Sequence, residues 1–176
     1  LIMEYIKDFL KNEDRESFDK LCENCTKLVW IDWREYDEDI INYIENVIQS
    51  GKLIGKNEDA DNKMGVNIII EWKGKEYKIS YPNEEGSDRD TTIKTLNKVI
   101  QPEHEIRLFM ESLGSDTLAF VPLSKEEWEE LEKDFGVEKV NYYFSKIDDN
   151  SKMFDLDMDE LFKILDKRKE IKNFFD

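Results

Sequence analysis

Apolar side chains recur every three or four residues at the start of the chain, through Ile2, Tyr5, Ile6, Phe9 and Leu10 and then through Phe18, Leu21, Cys22 and Cys25. That spacing places each set on one helical face, and the polar residues 11–15 separate two short amphipathic helices. Residues 27–33, Lys-Leu-Val-Trp-Ile-Asp-Trp, are rich in β-branched and aromatic side chains and predict a strand. From Asp37 onward Ile40, Ile41, Tyr43, Ile44, Val47 and Ile48 return to helical spacing, with Asp37 as the expected N-cap and Gly51 as the expected C′ residue. Residues 52–65 hold two glycines, few large apolar side chains and an acidic cluster at 57–62, which predicts a mobile acidic loop.

Two further apolar runs, 66–72 and 76–81, flank Lys73-Gly74-Lys75 and predict a β-hairpin. Ser87-Asp88-Arg89-Asp90 has the pattern of a capping box for a helix carrying Ile93, Leu96 and Ile100, which Pro102 ends. Residues 105–111 and 117–123 predict strands joined at Gly114-Ser115-Asp116. Ser124-Lys125-Glu126-Glu127 is a second capping box, opening a helix that points Trp128, Leu131 and Phe135 inward and stops at Gly136. Residues 137–147 predict a strand, and Asp157-Met158-Asp159-Glu160 caps a final helix with Leu161, Phe162, Ile164 and Leu165 inward. With no internal repeat and no linker, residues 1–176 are expected to form a single α+β domain. Its architecture is expected to be one mixed, mainly antiparallel sheet of roughly six strands packed with helices.

Composition narrows what such a domain can do. Hydrophobic residues make up 39% of the chain, enough for a core despite 39% charged residues. The 42 acidic against 26 basic side chains give a formal net charge of −16, which repels nucleic acid and anionic membrane and attracts basic proteins. No apolar run approaches the roughly 18 residues that span a bilayer, and the first residues carry no basic region followed by an apolar one. With two cysteines, too few for a disulfide framework, these features predict a cytoplasmic protein.

Several motifs come close to a chemistry without completing it. Cys22-Glu23-Asn24-Cys25 has the spacing of a redox or metal pair, but it lies late in a helix on the apolar side, and His104 is the only histidine. Both cysteines are therefore expected in the core. Asp155-Leu156-Asp157-Met158-Asp159 begins like a calcium loop, yet Glu160 stands where glycine is needed and Asp166 where glutamate is needed; 57–61 fails likewise at Ile68. Glu71-Trp72-Lys73, with Asp59 and Asp61 upstream, resembles the acid-x-lysine core of metal-dependent nucleases. Roughly six such triplets arise by chance in this composition, so alternating outward charges on a hairpin explain it better. Neither a glycine-rich phosphate cradle nor a nucleophile elbow occurs, His104 is expected at a surface or strand edge, and no catalytic residue, metal site or cofactor is assigned.

The segment 30–39 differs, because large aromatics, an arginine and dense carboxylates meet where a strand hands over to a helix. Trp30, Asp32, Trp33, Arg34, Glu35 and Asp37 are the expected partner-binding residues, of the types in which binding energy concentrates. The structural alternative keeps Val29, Ile31 and Trp33 in the core, with Asp32 and Glu35 satisfying Arg34 and helix amides. Residues 30–41, 88–93 with Leu96 and Asn97, 105–107 and 112–120 together resemble small immunity proteins of bacterial toxin and contact-dependent inhibition systems. That resemblance implies a cytoplasmic protein that neutralises a cognate toxin by covering its active site, and an acidic surface suits a basic, nuclease-type toxin. The competing expectations are a small enzyme of unrecognised type and another acidic inhibitor or adaptor, such as a nucleic-acid mimic.

Overall fold

The structure, a computed structural model, describes residues 3–172; Ile2, counted above on the first helical stripe, lies outside them. Helices α1 (Glu4–Asn12) and α2 (Arg15–Asn24) form where the periodicity predicts. They are followed by β1 (Val29–Asp32), α3 (Asp37–Ile48), β2 (Leu53–Asp59), β3 (Val66–Trp72), β4 (Lys75–Lys78) and α4 (Arg89–Ile100). The second half runs β5 (His104–Phe109), a 3-10 turn (Met110–Ser112), β6 (Thr117–Ser124), α5 (Lys125–Phe135), α6 (Val137–Tyr143), β7 (Phe144–Lys146) and α7 (Met158–Lys172). The α+β class holds, but the one mixed sheet of roughly six strands that was expected is instead two antiparallel sheets, ordered β1-β6-β5-β7 and β2-β3-β4, since β2, β3 and β4 pair only with one another.

Strand β6 is buried on both faces, and that is why the four-stranded sheet needs a layer on each side. Leu118 and Phe120 face α3, α4 and the three-stranded sheet, meeting Ile40, Ile44, Ile93 and Ile70. Ala119, Val121 and Leu123 face α1, α2, α5 and α6, meeting Leu10, Leu21 and Trp128. A doubly buried strand reads as a nearly continuous apolar run, as this one does. Pro122 is tolerated in its middle because β1 pairs with β6 only as far as Phe120, so no ladder partner is lost there. Across from it, Ile106 donates its N–H at 2.7 Å to Asn97 Oδ1, beyond the reach of β7.

Trp128 is inward as predicted, 2% exposed, and its indole N–H donates to the Glu105 carbonyl at 2.8 Å. Its ring carries the Arg107 guanidinium, 4.2 Å from the centroid. Arg107 is itself buried and survives there because Glu105 and Glu132 each pair with it at 2.9 Å. A buried cation without such partners would be strongly destabilising. The predicted capping box at Ser124 and Glu127 is present and starts α5.

Other expectations are corrected by the structure. The mobile loop at 52–65 is β2 followed by a turn; beyond the buried Leu53 the apolar signal breaks at Gly55, where α3 lies too close for a side chain. A Cβ on Gly55 would lie 2.5 Å from the Glu38 carbonyl oxygen, and Gly55 N–H donates to Asn42 Oδ1 at 3.0 Å. The strand expected at 137–147 begins as α6, whose buried Val140 and Tyr143 are three residues apart, and only 144–146 extend. Ser87 does not cap α4: Asp88 does, accepting from Thr91 N at 2.7 Å. Asp37 is the first residue of α3 and not its N-cap, and that helix ends at Ile48 with Gln49 left-handed, two residues before Gly51. On α7, Phe162 points outward at 55% exposure while Leu161, Ile164 and Leu165 are half-buried, because the helix lies at the sheet's margin beside Gly114.

His104 opens β5 opposite Ser124, with the edge of its ring against Trp72. Among the described residues its buried Nδ1 has no hydrogen-bond partner, and burial pushes the imidazole pKa down.

Two outcomes follow for stability. Gly55→Ala should destabilise the protein by about 1 to 3 kcal/mol through overpacking against α3, seen as a lower urea midpoint with an unchanged slope. For His104, a folded-state pKa below the unfolded value of about 6.5 means its contribution is complete above that pH and is lost as pH falls through the folded value. His104→Gln should therefore narrow the gap between midpoints measured at about pH 7.5 and about pH 5.5; an equal gap in both proteins removes His104 as an acid-sensitive group.

Candidate protein-binding surface

Leaving β1, the chain has four residues before α3 begins, and hydrogen bonds fix most of that path. Asp32 Oδ1 accepts from Arg34 N at 2.9 Å, and Glu35 N donates to the Asp32 carbonyl at 3.2 Å. Arg89, at the start of α4, reaches over from the other side. Its Nε donates to the Asp32 carbonyl at 3.1 Å and its Nη2 to the Glu35 carbonyl at 2.5 Å. Glu35 accepts from the Tyr43 hydroxyl at 3.0 Å, which ties the turn to the second turn of α3 and raises the phenol's pKa.

Beneath the turn, Asp37 is 4% exposed and accepts from Ser87 Oγ at 2.5 Å and Thr92 Oγ1 at 2.8 Å. Since a hydroxyl has one proton, Thr92 receives at 2.7 Å from Tyr81, whose pKa burial drives upward. Asp37 was expected on the partner surface. The structure takes it out of that set, because a carboxylate with both oxygens bonded inside the fold is not accessible to a partner.

The remaining predicted residues come together. Of the eight large apolar side chains that are exposed among the described residues, three lie in this one stretch: Trp30 at 40%, Trp33 at 61% and Tyr36 at 70%. Trp30 alternates with the inward Val29 and Ile31, as a strand requires, whereas Trp33 lies past the end of β1 and is not core. Arg34 pairs with Asp32, Nε to Oδ1 at 3.2 Å and Nη2 to Oδ2 at 2.9 Å, and its guanidinium carbon lies 5.8 Å from the Trp33 ring centroid. The pairing holds the Asp32 carboxyl below its usual range and raises Arg34, on which Asp116 also acts. Tyr36 was not among the predicted site residues. Its signal is its place between a turn and a helix start, where the chain offers nothing to bury it.

The near-miss motifs resolve into ordinary structure. Glu71 pairs with Lys56 and Lys73 with Glu103, while Asp59 lies opposite Val66, five residues from Glu71 along β3 and so roughly 17 Å away. Asp157 and Glu160 cap α7 reciprocally at 2.8 and 3.1 Å. Cys25 is buried, Cys22 half-buried, both are free thiols, and desolvation raises both pKa values. Among the described residues no group of three or more His, Cys, Asp or Glu is placed to hold a metal, and no helix is long and apolar enough to cross a membrane. A cleft of about 660 Å³ lies between α6 and α7. Its Arg168 already donates to the Tyr142 carbonyl and to Glu111, and neither histidine nor cysteine is in its lining.

Comparison with protein-family models, with curated proteins and with solved structures finds no match to this chain. Arg89→Ala should free two carbonyls and lower stability by about 1.5 to 3 kcal/mol, with amide exchange at residues 33–37 accelerating more than elsewhere. Arg89→Lys should restore little, since an ammonium lacks the fork that spans both carbonyls.

Proposed function

We propose that this chain is a bacterial immunity protein that binds a cognate, basic toxin domain and silences it by covering its active site. The observation that carries this is the cluster of Trp30, Trp33 and Tyr36, held out into solvent at 40 to 70% exposure by a turn fixed from several sides. Exposing aromatics on a rigid scaffold is unfavourable for an isolated protein, and such side chains concentrate binding energy in interfaces. Asp32, Arg34 and Glu35 surround them, inside a net charge of −16. A field of that sign favours a cationic protein and disfavours direct contact with nucleic acid, so a nuclease-type toxin, itself built to bind nucleic acid, is a fitting target. The free thiols of Cys22 and Cys25 suit action in the cytoplasm.

The test is binding to a basic toxin domain encoded beside this gene, if the neighbouring reading frame supplies one. The double variant Trp33→Ala, Tyr36→Ala should fold normally and raise Kd by roughly 30-fold or more, the loss of at least one interface hot spot. Association should slow by about tenfold or more between low and high salt. Unchanged affinity in the variant would move the interface elsewhere, and absence of any complex would overturn the immunity function.

A further inference from the structure

The turn already holds a guanidinium, and it is the protein's own. Arg34 meets Asp32 through a fork of two N–H···O contacts, 3.2 and 2.9 Å, and lies over the Trp33 ring at 5.8 Å. A forked carboxylate contact and an aromatic face are the two features by which proteins recognise arginine. We infer that Arg34 is a placeholder: Asp32 and Trp33 form a seat for an arginine of the basic partner, which displaces the Arg34 side chain on docking. The inference rests on the binding function proposed above and adds what the partner must present.

The seat does not need Arg34's side chain to exist. Asp32 keeps the hydrogen bond from the Arg34 backbone N–H at 2.9 Å, and Arg89 fixes the carbonyls of Asp32 and Glu35. The Arg34 side chain, by contrast, is 72% exposed, reaching a residue two positions away. An ion pair in water at that exposure is weakly held. Asp116 also acts on the same guanidinium, so a displaced Arg34 has a second carboxylate toward which to turn. Partner arginine is specified over lysine because a planar fork matches both Asp32 oxygens while stacking on the indole, and an ammonium does neither.

The placeholder and a direct contact predict opposite signs for one substitution. If Arg34 competes for the seat, Arg34→Gln raises affinity; if Arg34 reaches into the partner, the same change lowers it. The experiment titrates the full chain with acetyl-Gly-Arg-Gly-amide and with its lysine counterpart, following the indole N–H resonances of Trp30 and Trp33. Circular dichroism confirms that the variants fold. Arg34→Gln should bind the arginine peptide roughly two- to fivefold more tightly than wild type, the factor by which a weak competing pair masks its site. Asp32→Asn should abolish the perturbation, and the lysine peptide should bind more weakly in every form. Equal or weaker binding by Arg34→Gln, equal response to lysine, or no response to either peptide overturns the seat. The peptide arm involves no toxin, so its failure is distinct from failure of the toxin complex to form.

Discussion

A carboxylate removed from water must have its oxygens hydrogen-bonded or the site does not persist, and Asp37 imposes that condition on the fold. It begins α3, yet its partners, Ser87 and Thr92, stand at the start of α4. Satisfying Asp37 therefore fixes where α4 begins relative to α3. The same few residues around α4's first turn hold two other regions. Arg89 takes the carbonyls of the β1–α3 turn, and Asp90, also buried, accepts the backbone N–H groups of Met153, Phe154 and Asp155 at 3.0, 2.9 and 3.4 Å. A network of this kind is all or nothing, because removing one member leaves the others buried and unpaired.

For the binding function proposed above, that rigidity lowers what docking costs. A flexible loop bearing Trp33 and Tyr36 would lose conformational freedom on docking, and the lost entropy would subtract from affinity. Here the backbone from Asp32 to Asp37 is already held by Arg89, by the Asp32 side chain and by the Asp37 network. Pre-organisation of this sort slows dissociation more than it speeds encounter, whereas the negative field acts mainly on encounter.

Much of this was legible in the sequence wherever the cause is local. The helical stripes of α1 to α5, the β3–β4 hairpin, the capping box at Ser124 and the inward Trp128 are set by spacing and by residues a few positions apart. The strand β1 was legible too, from its β-branched and aromatic residues. What stayed hidden depends on distant neighbours. Asp37 carried the look of an N-cap, and its real partners lie about fifty positions away. Ser87 and Asp90 fitted a capping box that geometry divides between Asp37 and the 153–155 backbone. β2 read as a loop because close approach of α3 erased its apolar signal at Gly55, and α6 read as a strand because valines and tyrosines favour either state until packing decides.

The contact between Gly55 and α3 bears on behaviour at high concentration. β2 is an outer strand, and an open strand edge is a template on which other chains can add. Here α3 lies against it: Asn42 takes the N–H of Gly55 and Glu38 takes the side-chain amide of Asn57 at 2.6 Å, so donors facing outward are met by a helix. At the opposite margin of the same sheet β4 is short and carries Lys75, Glu76 and Lys78, charges that make strand addition unfavourable. A protein that acts stoichiometrically has to accumulate at least to the level of whatever it binds. For the stoichiometric binder proposed above, guarding both margins of the three-stranded sheet disfavours pairing between copies there.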